Sequence, residues 1–92
     1  MLRKNENIVS RSIHGSFFLI DITDNYANDT CALYEINETG KFIWENINGN
    51  NSLKDIAQLL KSAIIDDIDF DIIYNDVDEF VSYLIEKEYV MR

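Results

Sequence analysis

The sequence predicts an α+β fold in which a three-stranded antiparallel sheet is followed by three helices. Three observations carry this. Apolar residues up to Ile36 fall in short segments rich in β-branched and aromatic side chains, whereas those after Asn37 recur with a helical period. A His-Gly pair separates the first two strand-like segments. No Pro and no internal repeat interrupts the order, so strands and helices form separate blocks.

The first strand is Ile8–Ile13 (IVSRSI) and the second covers residues 16–22 (SFFLIDI), with His14-Gly15 as the turn of a hairpin. Residues 23–29 (TDNYAND) have loop chemistry, because Asp and Asn side chains bond their own backbone in turns. The third strand covers residues 30–36 (TCALYEI). Residues 1–7 lack such a pattern and are expected to be a flexible N-terminus to a single domain spanning 1–92.

Asn37 suits an N-cap and Glu38 sits where the helix macrodipole favours an anion. Ile36, Ile43, Trp44 and Ile47 share a face, and Gly49 is the residue type that closes a helix, so the first helix is expected to end near Asn48. Ser52 and Asp55 form a capping-box variant ahead of the stripe Leu53, Ile56, Ala57, Leu60 and Ala63. Asp71 is the expected cap of the third helix, whose core arc is Ile73, Val77, Phe80, Val81 and Leu84 and which runs to about Lys87. Tyr89 and Val90 are expected to tuck under the core. The element order is similar to a winged-helix arrangement with the sheet placed first.

Net charge is −9, and residues 62–86 hold eight carboxylates with no Lys or Arg. Nucleic-acid affinity comes from neutralised phosphates, so a duplex is a poor partner and a basic one is favoured. The single Cys31 offers no disulfide and no metal spacing. No apolar run is long enough for a membrane span. A cytoplasmic protein without a cofactor is expected. Catalysis needs a nucleophile or acid/base group with an orienting partner. The chain has one His, in a turn, and one Cys, so it is not expected to be an enzyme. The run DDIDFD lacks the Gly and distal Glu of an EF-hand loop.

Gly40, at the third position of the first helix, costs roughly 1 kcal/mol relative to Ala, which calls for close approach of another group. Phe42 and Trp44 are the nearest aromatics in sequence.

The series Ile36-Asn37-Glu38-Thr39-Gly40, Ile43-Trp44, Asn48-Gly49, Ser52, Ile56, Asn75-Asp76-Val77, Phe80, Leu84 and Tyr89-Val90 resembles the PqqD family over residues 33–90. Ser52 stands where that family often has Thr, and Glu88 where it usually has Gly. The resemblance implies a RiPP recognition element, a non-catalytic domain that acts like a peptide chaperone. Such domains bind the leader of a ribosomally made precursor peptide and present it to a tailoring enzyme, commonly a radical SAM maturase.

In that family the leader adds to the third strand and lies against the last helix, a case of β-augmentation. The expected edge is Thr30, Cys31, Ala32, Leu33, Tyr34 and Glu35, which lacks the Lys or Pro that discourages pairing. Leu33 and Tyr34, on opposite faces, are both candidates for leader contact. On the last helix Ile72, Asp76, Glu79 and Tyr83 form one flank, with Phe80 as floor and the two carboxylates meeting a Lys or Arg. The competing flank is Tyr74 with Ile85. A homodimer through the same edge is a further expectation.

Two other readings share the topology. A protein-interaction adaptor would use the same edge and groove for a folded partner. A DNA-binding winged helix is disfavoured by the acidic and apolar last helix and the long connection before it.

Overall fold

The computed structural model describes residues 2–22 and 32–92. The elements are β1 (Arg3–Lys4), β2 (Ile8–Ile13), β3 (Ser16–Asp21), β4 (Ala32–Ile36), α1 (Glu38–Glu45), α2 (Leu53–Ala63), α3 (Phe70–Glu86) and β5 (Val90–Met91). The predicted order of three antiparallel strands and three helices stands, and β1 and β5 add a second, two-stranded sheet.

His14 and Gly15 both take positive φ, 50° and 82°. That backbone matches the right-handed twist of the strands it joins, and it sets the hairpin register Ile13↔Ser16 through Ile8↔Asp21. β4 continues the sheet antiparallel to β3, pairing Tyr34 with Leu19 and Ile36 with Phe17. Directly opposed residues share a face. Ile8, Leu19 and Ile36 are therefore buried on one side, against Ile43 and Trp44 of α1, Ile56 and Leu60 of α2, and Val77, Val81 and Leu84 of α3. Ile36 faces the helices, as its place beside the α1 cap predicts.

Both predicted caps of the first two helices form. The Gly40 N–H donates to Asn37 Oδ1 at 2.8 Å. The Asp55 N–H donates to the Ser52 hydroxyl at 3.1 Å, and the Ser52 N–H donates to the Asp55 carboxylate at 3.0 Å. Other boundaries move. α1 ends at Glu45, not near Asn48, because the Asn46 side chain donates to the Phe42 carbonyl at 2.8 Å and offers the backbone a local alternative to another helical turn. Gly49 does have a left-handed φ of 87°, but it serves the N-terminal strand, its N–H donating to the Leu2 carbonyl at 3.0 Å. α3 starts at Phe70 and Asp69 takes the cap position without a side-chain bond. Asp71 lies in the first turn, and the Phe70 ring packs 6.0 Å from Tyr74 one turn on.

The expectation of a flexible N-terminus is corrected. Leu2 is 4% exposed, Arg3 and Lys4 pair with Met91 and Val90, and the Lys4 ammonium lies 5.0 Å over the Trp44 ring. Burial there lowers the Lys4 pKa, with Glu45 opposing the shift. Asn5 completes the attachment, its N–H donating to the Tyr89 carbonyl and its side-chain amide to the Glu88 carbonyl, each at 2.9 Å.

That attachment explains how α3 ends without glycine. The Tyr89 N–H donates to the Leu84 carbonyl at 2.8 Å and the Glu88 N–H to the Ile85 carbonyl at 2.9 Å, a Schellman closure with Glu88 at its left-handed position, φ 65°. Tyr89 and Val90 are buried as expected. An L-residue in that conformation costs roughly 1 kcal/mol or more. Glu88→Gly should therefore stabilise the protein by about 1 kcal/mol, raising Tm by about 4–8 °C in thermal denaturation followed by circular dichroism. An unchanged or lower Tm would show that Asn5 has already relieved the strain.

Candidate functional site

The hairpin turn decides which backbone groups of β4 reach the outer edge of the sheet. Ile13 and Ser16 flank a two-residue turn, so they exchange both backbone hydrogen bonds, and the pairs alternate from there. The Ile22 N–H donating to the Asn7 carbonyl at 3.0 Å keeps that alternation. Ser16, Phe18 and Ile20 therefore bond toward β2, and Phe17, Leu19 and Asp21 toward β4. Their partners Ile36, Tyr34 and Ala32 turn inward, leaving the N–H and C=O of Leu33 and Glu35 at the outer edge. Among the described residues no strand pairs with that edge. Leu33 is 57% exposed.

Beside this edge lies a cleft of about 440 Å³. β4 contributes Tyr34, and α3 contributes Asp76, Glu79, Phe80 and Tyr83. The start of α1 closes the third side with Asn37, Thr39, Gly40 and Ile43. Tyr34 and Tyr83 meet across it with ring centroids 5.4 Å apart at 54°, joining sheet to helix. Burial, and to a lesser extent the neighbouring Tyr83, push the Tyr34 phenol above its usual pKa.

Gly40 makes room for the floor. A Cβ there would stand 3.1 Å from Phe80 Cζ and 3.1 Å from Ile36 Cβ. The group that Gly40 accommodates is thus Phe80, from a helix thirty positions away and more, and not Phe42 or Trp44. Asp76 and Glu79 are exposed on the rim. Lys87 lies beside the cleft without lining it, its ammonium 5.5, 5.4 and 5.2 Å from the ring centroids of Tyr34, Tyr83 and Tyr89.

A second hollow, about 500 Å³, opens on the other side of Asn37 between the hairpin turn and α1. Phe17 and Phe42 line it, and Lys41 sits 5.2 Å over the Phe17 ring. No residue of α3 borders it. Among the described residues no group of His, Cys, Asp or Glu is arranged to hold a metal ion, and no helix is long and apolar enough to cross a membrane.

The family described as Coenzyme PQQ synthesis protein D (PqqD) matches residues 26–90. The chain belongs to the PqqD family. Two solved structures share the PqqD-like fold of this chain. One is lasso peptide synthetase B1 complexed with the leader peptide, with a TM-score of 0.77 and 19% identity, covering 99% of this chain and 98% of that one. The other is TbiB1 in complex with the TbiA(beta) leader peptide, with a TM-score of 0.75 and 16% identity, covering 96% and 93%. No curated protein matches the chain.

Within this PqqD-family fold, Tyr34, Asp76, Glu79, Phe80 and Tyr83 come together in one cleft, beside the outward groups of Leu33 and Glu35. Ile72, 54% exposed, continues the same stripe one turn beyond Asp76 without lining the cleft. Ala32 takes part through its backbone pairing with Asp21. Thr30 and Cys31 lie outside the described residues, as do residues 23–29. The competing flank turns elsewhere: Tyr74 is half-buried against Phe70 and Ile85 packs on the core. Sequence reasoning missed Lys87 and the contribution of Asn37, Thr39 and Ile43. For Lys87 a signal existed, since it follows Tyr83 by four on the stripe.

Proposed function

We propose that this PqqD-family chain, as a single domain, binds the leader of a ribosomally made precursor peptide as an added strand on β4 and presents it to a modifying enzyme. The domain itself performs no chemistry. The observation that carries this reading is the outward backbone of Leu33 and Glu35 directly beside the α1–α3 cleft. Unpaired N–H and C=O groups give affinity that depends little on guest side chains, and the adjoining cleft selects among them. The two structural neighbours are complexes with leader peptides, which supports the same use of the shared fold.

A guest strand alternates its side chains. Those opposite Tyr34 and Ile36 enter the cleft over Phe80, whereas those opposite Leu33 and Glu35 lie on the outer face of the sheet. Asp76 and Glu79 then meet basic side chains, and Tyr83 packs against an apolar one. Titrating the 15N-labelled protein with a synthetic leader, taken from a short precursor gene beside this one, should shift the amides of residues 33–36 together with those of 76, 79, 80 and 83. Shifts confined to the acidic connection at residues 66–69 would overturn the groove. A genome neighbourhood without any short peptide gene or tailoring-enzyme gene would favour an adaptor for a folded partner.

A further inference from the structure

We infer that the cleft is electrically polar along its length and selects guests by the order of their charges: a basic side chain, then an apolar one, then an acidic one, at alternate positions. This rests on the strand-addition reading above. The carboxylates of Asp76 and Glu79 line the cleft from α3, and past Tyr83 the ammonium of Lys87, the C-cap of that helix, stands against the rings of Tyr34 and Tyr83. Among the described residues neither carboxylate has an ion-pair partner, so both are available to a guest cation. The three tyrosine rings hold the Lys87 ammonium beside the cleft, next to the lining residues Tyr34 and Tyr83, where it does not need to be ordered by the guest.

The spacing follows from the two periodicities. By helix rise, the backbone of Lys87 lies roughly 12 Å from that of Glu79 and about 16 Å from that of Asp76 along the α3 axis. Four residues of a strand span about 13 Å. The guest positions that point toward the helices lie opposite Ile36, Tyr34 and Ala32, and they match this interval at i, i+2 and i+4. β4 runs against α3, since Tyr34 meets Tyr83 while Asn37 and Gly40 lie beside Asp76 and Phe80. An antiparallel guest, whose ladder is the more stable per residue, therefore runs in the sense of α3. It meets Asp76 and Glu79 first, Tyr34 and Phe80 next, and Lys87 last.

The test uses three fluorescein-labelled peptides of eleven residues in a Ser/Thr/Val background around a central Leu. One carries Lys two residues before the Leu and Glu two after, the second exchanges them, and the third has Gln at both. The first two share one composition and net charge, so the −9 field of the protein acts equally on both. Anisotropy at 50 mM salt should rank the Lys-first peptide about tenfold tighter than its isomer, from several exposed charge pairs changing sign together, with the Gln peptide between. The gap should shrink at 500 mM salt. Lys87→Gln should reduce the gap between the two charged isomers to about threefold. A loss shared equally by all three peptides would assign Lys87 a structural role only and overturn the inference. Equal affinity for all three, with amide shifts at residues 33–36, would overturn charge order and leave strand addition standing. Binding of none would overturn the inference and count against the groove as well.

Discussion

Leu33→Pro should weaken leader binding about thirtyfold or more while the domain stays folded. The N–H of Leu33 faces the outer edge, so proline removes a donor the guest needs without touching the ladder to β3, which uses Ala32, Tyr34 and Ile36. The lost hydrogen bond contributes about 1 kcal/mol and the stranded guest carbonyl costs about 1–3 kcal/mol more. Together these correspond to roughly 2–4 kcal/mol, or about thirtyfold to nearly a thousandfold in Kd. The residue before proline is held to extended backbone, which suits Ala32 in its strand. Tyr34→Pro is the contrast, because its N–H bonds inward to β3 and its loss breaks the sheet. Isothermal titration with the leader, with circular dichroism of both variants, reads the difference. If Leu33→Pro unfolds and Tyr34→Pro does not, the alternation is inverted. If Leu33→Pro folds and binds normally, no strand is added at this edge.

Half of that contrast was within reach of the sequence, since a two-residue His-Gly turn fixes which β3 positions bond toward β4, but Leu33 and Tyr34 stayed open because the β3–β4 register assigns them. The caps at Asn37 and Ser52 and the apolar stripes of the helices were legible for a similar reason: each is a local pattern whose partners lie within a few residues. What escaped depends on distant partners. β1 and β5 are two residues each, too short for any period, and Arg3 pairs with Met91, 88 positions further along the chain. The end of α1 turned on one Asn46 side chain competing for a carbonyl. Gly40 announced a close neighbour without naming it, because Phe80 reaches it from another helix. The acidic flank of α3 could be read as a wall. Its cationic end was overlooked because Lys87 sits among Glu86, Glu88 and other acids, and only the three tyrosines, from two elements and a closing turn, reveal where its ammonium is held.

Gly40 also connects stability to the groove, and Gly40→Val should cost about 1–2.5 kcal/mol. Valine gains a few tenths of a kcal/mol in helix propensity over glycine. Against that, its Cβ meets Ile36 Cβ and Phe80 Cζ at 3.1 Å, with two further methyl groups to place, and overpacking of this kind costs about 1–3 kcal/mol. Ile36 Cβ is fixed to the sheet, so the adjustment falls on the Phe80 ring, which is half-buried and can swing toward the cleft. Gly40→Ala is the finer probe: overpacking and propensity nearly cancel in folding, but the displaced ring fills space the guest requires. Urea denaturation should show a change within about 1 kcal/mol for Gly40→Ala and the full loss for Gly40→Val. Leader affinity should fall in both. Phe80→Leu shortens the ring away from Gly40, so adding it to Gly40→Ala should return part of the lost affinity, a coupling that a double-mutant cycle isolates. If Gly40→Ala binds the leader as well as the parent protein does, Phe80 has somewhere else to go, and the glycine serves only the packing of α1 on α3.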